Sequence, residues 1–156
     1  MKIILVRHGH PDYTTDSLTQ LGHKQAKSAA ARLENEGIEK IYSSPFGRAR
    51  QTAQYTADLI SKDVEILDFM HEIRWGSKDG MPVYKDGHPW DTSLYALSKG
   101  YSLMDTDWTK GDEFCHNVVF SELERVAKDA DEWLLTLGYK RAVSYTHLTL
   151  PTNVNV

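Results

Sequence analysis

The chain predicts an α/β fold with a largely parallel sheet, because short apolar runs of β-favouring residues alternate with segments of helical periodicity. Two such alternations follow one another between Lys2 and Leu67, and turn-forming residues separate their members. The connections are expected to be right-handed βαβ units.

The first element is the run Lys2–Arg7, four consecutive apolar residues between two cations, stopped by Gly9 and Pro11. A continuous apolar run of this length reads as a fully buried strand. From Thr19, a hydroxyl side chain suited to capping, to Gly37, a C-terminal stop, Ala26, Ala29, Ala30 and Leu33 recur at helical spacing and predict the first helix. Ile38–Ser43 reads as the second strand. Arg48–Ser61 reads as a second helix with Ala49, Ala53, Ala57 and Ile60 on one face, and Val64–Leu67 as a third strand. Residues 73–115 break the rhythm with Trp75, Gly80, Pro82, Gly87, Pro89 and Trp90, and are expected to form an irregular, aromatic-rich, substrate-side insertion. Asn117 then caps a long amphipathic helix carrying Val119, Leu123, Val126, Ala127, Ala130, Trp133, Leu134 and Leu137, ended by Gly138.

Length and charge narrow the function classes. The 156 residues, 40% hydrophobic and 26% charged, suit one compact domain. The 22 acidic and 18 basic residues are interspersed, leaving a net charge of −4 and no basic stripe for nucleic acid. The expected partner is a small molecule. The leading apolar run is too short for a signal peptide or membrane span, and Cys115 is the sole cysteine, so a cytoplasmic, reducing compartment is expected. No oligomeric state follows from these features.

Two short segments carry chemistry. In Leu5-Val-Arg-His-Gly9 a histidine ends the first strand, on the sheet edge where open α/β folds bind ligands. Arg7 beside it supplies a permanent, planar cation suited to phosphate oxygens, and Gly9 would let the backbone approach a bound anion. The second segment, Ser43-Ser-Pro-Phe-Gly-Arg-Ala-Arg-Gln-Thr52, follows the second strand and opens the second helix, whose first turn attracts anions and carries Arg48. Arg50 points away from Arg48 and reads as a solvated surface residue.

Leu-Val-Arg-His-Gly together with Ser-Ser-Pro-x-x-Arg-Ala-x-Gln-Thr-Ala resembles the histidine phosphatase superfamily, also called phosphoglycerate mutase-like, over residues 1 to about 138. The resemblance implies a three-layer αβα fold with a mostly parallel central sheet, here incomplete. It places the nucleophile on His8, the phosphate-binding arginines on Arg7 and Arg48, and the general acid on Glu72. The implied reaction needs no metal and no cofactor: His8 attacks phosphorus on a small phosphorylated substrate, and Glu72 protonates the leaving oxygen. The attacking nitrogen must be unprotonated, so the other is expected to donate to a backbone carbonyl such as that of Gly9. A phosphatase would then hydrolyse the phosphohistidine, whereas a mutase returns the phosphoryl group. The absence of the mutases' Gly-rich insertion, and the shorter chain, favour the phosphatase. His10 departs from the small or acidic residue usual in the family and is a candidate substrate contact.

The family's second histidine, in a Ser-His-Gly turn after a fourth strand, is not found; His147 lacks the glycine. Val143–Thr152 matches one reading frame of a transposase adapter used in preparing sequencing libraries. Residues 1–142 are therefore expected to be the N-terminal portion of a histidine phosphatase domain and 143–156 a foreign tail, the competing reading being a genuine strand. Losing the second histidine is expected to impair turnover by about 10²–10³-fold. Two other function classes stay open. His8-Gly-His-Pro-Asp12 also fits a metal-dependent hydrolase, against which stand the neighbouring cation Arg7 and the roughly 250 residues of the barrel version. A non-catalytic phosphate-binding module would need the arginines but neither His8 nor Glu72.

Overall fold

The computed structural model describes residues 2–140, so the expected tail and His147 lie outside the described residues. These divide into two compact units after Glu72, each treated by itself below.

The first unit opens with a short antiparallel hairpin that the sequence reading missed, β1 (Pro11–Asp12) and β2 (Ser17–Leu18), in the register Pro11↔Leu18 and Asp12↔Ser17. Its turn is shaped by Asp12 Oδ1, which accepts the Thr14 N–H at 2.9 Å, and by Asp16, whose φ of +47° is left-handed. Helix α1 (Gln20–Leu33) starts where Thr19 predicts: the Thr19 hydroxyl accepts the Gly22 N–H. Gly22, Ala26 and Ala30, four residues apart, form its buried face.

The predicted strand–helix–strand unit follows as β3 (Ile41–Ser43), α2 (Gly47–Ile60) and β4 (Val64–Ile66). The two strands pair in parallel, Ile41↔Val64 through Ser43↔Ile66. Ser61 ends α2 in the left-handed conformation, its N–H returning to the Ala57 carbonyl. The buried stripe of α2 differs from the expected Ala49–Ala53–Ala57–Ile60: the residues packed inside are Arg48, Thr52, Thr56 and Ala57. The Thr52 hydroxyl and the terminal nitrogens of Arg48 find partners there, which lets these polar groups be buried.

Lys2–Arg7 corrects a larger expectation. Among the described residues the segment joins no strand, and its backbone makes no hydrogen bond to another of them. Leu5 is 74% exposed and Ile3 and Val6 about half exposed. An apolar run states only that a segment would be comfortable buried; burial on both faces also requires a paired neighbour, which the described residues do not supply.

In the second unit, residues 73–115 are less irregular than expected. They contain α3 (Pro89–Ser98), which begins with Pro at its first position behind His88, whose Nδ1 accepts the Trp90 N–H, and gives way to Gly100 at φ +85°. A 3₁₀ turn at Thr106–Lys110 follows. The core here is aromatic: Phe114 is buried among Tyr95, Tyr101 and Trp108, the last meeting it edge-on at 5.0 Å. Helix α4 (Val119–Thr136) has its N-cap at Val118, one residue after the expected Asn117, whose Oδ1 accepts the Val119 N–H. Asn117 also donates to Gly87 O and Thr92 Oγ1, tying the start of α4 to α3. Of the expected apolar stripe only Val119 is buried outright, and Leu123 is half exposed. Beside Val119 the helix buries Glu122, which takes Arg74 Nη2 at 2.6 Å and Arg125 Nη2 at 3.1 Å. The Arg74 hydrogen bond outweighs burial and, with Arg125, lowers the Glu122 carboxyl from 4.5 to about 2.

Candidate active site

The site lies in the first unit and is organised by glycines that let backbone segments touch. A side chain on Gly9 would meet the Gly22 carbonyl at 2.5 Å, one on Gly22 the His10 carbonyl at 2.2 Å, and one on Gly47 the Asp16 carbonyl at 2.1 Å. The turn after His8 is thus seated on α1, and the hairpin turn on the start of α2. The close approach observed at Gly9 is that of the Gly22 carbonyl.

Arg7, His8 and Gly9 line one cleft of about 250 Å³ with Thr52 of α2 and Gln25, Ala26 and Ala29 of α1. Within it, His8 Nδ1 donates to the Gly9 carbonyl at 2.8 Å, the tautomer anticipated from the sequence. A carbonyl only accepts, so in the neutral imidazole the proton sits on Nδ1 and the lone pair on Nε2. Among the described residues Nε2 has no hydrogen-bond partner. Arg7 is exposed and His8 partly buried.

Arg48 and Glu72 form a second cluster. Arg48 is only 7% exposed; its Nη2 donates to Glu72 Oε2 at 2.9 Å and its Nη1 to Asp16 Oδ1 at 2.7 Å. The guanidinium lies between the rings of Phe46, at 4.4 Å, and Tyr13, at 5.3 Å. Its Nε is buried without a hydrogen-bond partner among the described residues. Asp16 completes the cluster by accepting the Gly47 N–H on Oδ2 at 2.6 Å. The α2 N-terminus, read from sequence as an open anion site, therefore already holds a carboxylate. Partial burial pushes the Asp16 carboxyl up, but the Gly47 N–H and the Arg48 guanidinium outweigh it and leave it below the ordinary value, an anion at neutral pH.

Thr52 joins the two clusters. Its hydroxyl accepts the Gly9 N–H at 3.1 Å and donates to the Arg48 carbonyl at 2.8 Å, all within the buried interior. The i,i+4 spacing from Arg48 could have flagged Thr52 in the sequence; Asp16 carried no signal beyond an acidic residue in a turn. His10 is occupied by α1: its N–H donates to Gln25 Oε1 at 2.7 Å and its Nδ1 lies 3.1 Å from Thr19 Oγ1. Arg50 is exposed, as expected. Among the described residues no group of three or more His, Cys, Asp or Glu side chains is placed to hold a metal ion. No helix among them is long and apolar enough to cross a membrane.

A family model of the histidine phosphatase superfamily (branch 1) matches residues 3–99, more than half of the chain and every residue of the two clusters. The chain belongs to the histidine phosphatase superfamily. Among its curated relatives, the 2,3-bisphosphoglycerate-dependent phosphoglycerate mutase of Thermoplasma acidophilum is 43% identical over 91 residues, which are 51% of this chain and 46% of the relative. A Yersinia pestis protein named probable phosphoglycerate mutase GpmB is 33% identical over 92 residues, 53% of this chain and 43% of its own length. The chain thus spans about half the length of these histidine phosphatase relatives. Among solved structures, a mycobacterial glucosyl-3-phosphoglycerate phosphatase in complex with inorganic phosphate superposes with a TM-score of 0.55 at 22% identity, covering 84% of this chain and 59% of that one. That likeness establishes the histidine phosphatase fold.

Proposed function

We propose that this chain carries the nucleophile half of a phosphomonoesterase site working through a phosphohistidine on His8. The observation that carries the reading is the His8 Nδ1–Gly9 carbonyl bond, which in the neutral imidazole puts the lone pair on Nε2, in a cleft His8 shares with Arg7. In the proposed reaction the Nε2 lone pair forms a bond to phosphorus as the bond to the leaving oxygen breaks, with Arg7 and Arg48 carrying the phosphoryl charge. Glu72 gives its proton to the leaving oxygen, and its carboxylate then takes a proton from the water that cleaves the P–N bond. The substrate is a small phosphorylated molecule. Phosphoglycerate mutase-type transfer is the second reading, favoured by the names of the relatives just given; it differs only in returning the phosphoryl group to a second substrate oxygen.

The second histidine that the resemblance implies is not found in the sequence, so the test addresses the first half-reaction rather than turnover. The chain is mixed with ³²P-labelled p-nitrophenyl phosphate, quenched rapidly and digested. The expected result is one acid-labile, base-stable adduct on His8, absent from His8→Ala. Retention of the adduct in His8→Ala would refute the assignment, and phosphate binding without an adduct would favour the non-catalytic module.

A further inference from the structure

The donors that a phosphate would use at the start of α2 are already engaged by a side chain no part of the proposed chemistry requires. Asp16 places one carboxylate oxygen on the Gly47 N–H at 2.6 Å and the other on Arg48 Nη1 at 2.7 Å. This is a bidentate anion contact on a helix N-terminus and its cation, the arrangement by which such ends bind phosphate. Glu72 takes Nη2, so both terminal nitrogens of the Arg48 fork rest on protein carboxylates. Two further observations bear on this contact. Asp16 sits at φ +47°, a left-handed turn conformation that aims its side chain from the hairpin and that glycine or Asp can adopt. The Arg48 Nε is buried with no acceptor among the described residues, so the guanidinium is not fully satisfied beside Asp16. The Asp16 side chain is 41% exposed, and solvent or an incoming anion can therefore reach it.

We propose that Asp16 is a resident anion that sets the affinity and selectivity of the phosphate site: a phosphoryl group engages Arg48 and the α2 N-terminus by displacing the Asp16 carboxylate. The proposal rests on Arg48 being a phosphate ligand, as proposed above. Its consequence is selectivity. A dianionic phosphate, with three oxygens, can replace both Asp16 contacts, whereas a weakly basic anion such as sulfate gains less in exchange for the carboxylate it expels. The hairpin turn then acts as a specificity element, since it delivers both Asp16 and the Tyr13 ring to the same guanidinium.

The test is binding of inorganic phosphate and sulfate by the full chain, measured by calorimetry on the parent, Asp16→Asn and Asp16→Gly. Asparagine keeps an acceptor for the Gly47 N–H without the charge; glycine removes the carboxylate and suits the left-handed backbone. Both variants are expected to bind phosphate about tenfold more tightly, equivalent to ~1.4 kcal/mol, and to lose the parent's preference for phosphate over sulfate. Adding Arg48→Ala to Asp16→Gly is expected to abolish the gain. Unchanged or weaker phosphate binding in both variants, in a parent that binds phosphate, overturns the resident-anion role and leaves the proposed function standing. Tight binding that survives Arg48→Ala overturns it too. Absence of phosphate binding in the parent and in every variant removes Arg48 as a phosphate ligand, and the proposal above falls with it.

Discussion

Replacing Thr52 by valine removes one oxygen and leaves the shape of the side chain, which isolates what that hydroxyl does between the two clusters. In the parent the hydroxyl accepts the Gly9 N–H and donates to the Arg48 carbonyl. The carbonyl keeps its helical bond in the variant, but the Gly9 N–H, at a buried residue, loses its acceptor. Leaving one buried donor unpaired costs about 1–3 kcal/mol. For a chain of this size, ~2 kcal/mol lowers the melting temperature by roughly 4–8 °C. Thr52→Ser is the control, since it keeps both hydrogen bonds and loses a methyl group worth about 0.8 kcal/mol. Thermal and urea unfolding followed by circular dichroism should therefore rank the variants parent, serine, valine. Because the Gly9 turn also seats His8, the His8 adduct should form more slowly in the valine variant. If valine is no less stable than serine, the Gly9–Thr52 bond is not what holds the turn, and the account of the site as two clusters joined at Thr52 fails.

Two further outcomes follow from the same structure. Gly22→Ala drives a methyl into the His10 carbonyl, 2.2 Å from the added carbon, and should destabilise the first unit by about 3 kcal/mol or more, read as a lower urea midpoint; a variant as stable as the parent would show that α1 and the His10 backbone are not in contact. Glu122, lowered from 4.5 to about 2 by Arg74 and Arg125, contributes stability that is complete above pH 4.5 and fades as the pH falls towards 2. Its charged hydrogen bonds are worth about 1.5–3 kcal/mol. Glu122→Gln should be less stable by that order at pH 7 and should lose this part of the acid sensitivity, monitored through the near-ultraviolet signal of the Trp108–Phe114 cluster; an unchanged pH dependence would contradict the assignment.

Much of the helical framework was legible in the residues. Thr19 and Asn117 announce helix starts because a short polar side chain before an apolar periodicity has one economical use, satisfying a free N–H of the first turn. The two family motifs pointed to Arg7, His8 and Arg48, the wider resemblance pointed to Glu72, and the His8 tautomer followed from the requirement for a free nitrogen. What escaped was decided by neighbours distant in sequence. Lys2–Arg7 has the composition of a strand, yet whether such a run is laddered depends on a partner that its own residues do not encode. The β1–β2 hairpin is two residues deep on each side, too short for alternation to register. Helix α3 was obscured by the glycines and prolines around it, although Pro89 is itself a start signal. Asp16 was invisible because its role depends on the turn being folded back onto Gly47, a contact made across 31 residues.

His8 precedes a turn locked on three sides, by Thr52 at Gly9 and by Gln25 and Thr19 at His10. In-line attack calls for reacting atoms brought to about 3–3.5 Å. The aim of the nucleophile is consequently governed from downstream, through glycine contacts that leave no room for even one extra carbon. Substitutions at Gly9 or Gly22 should therefore misdirect the ring.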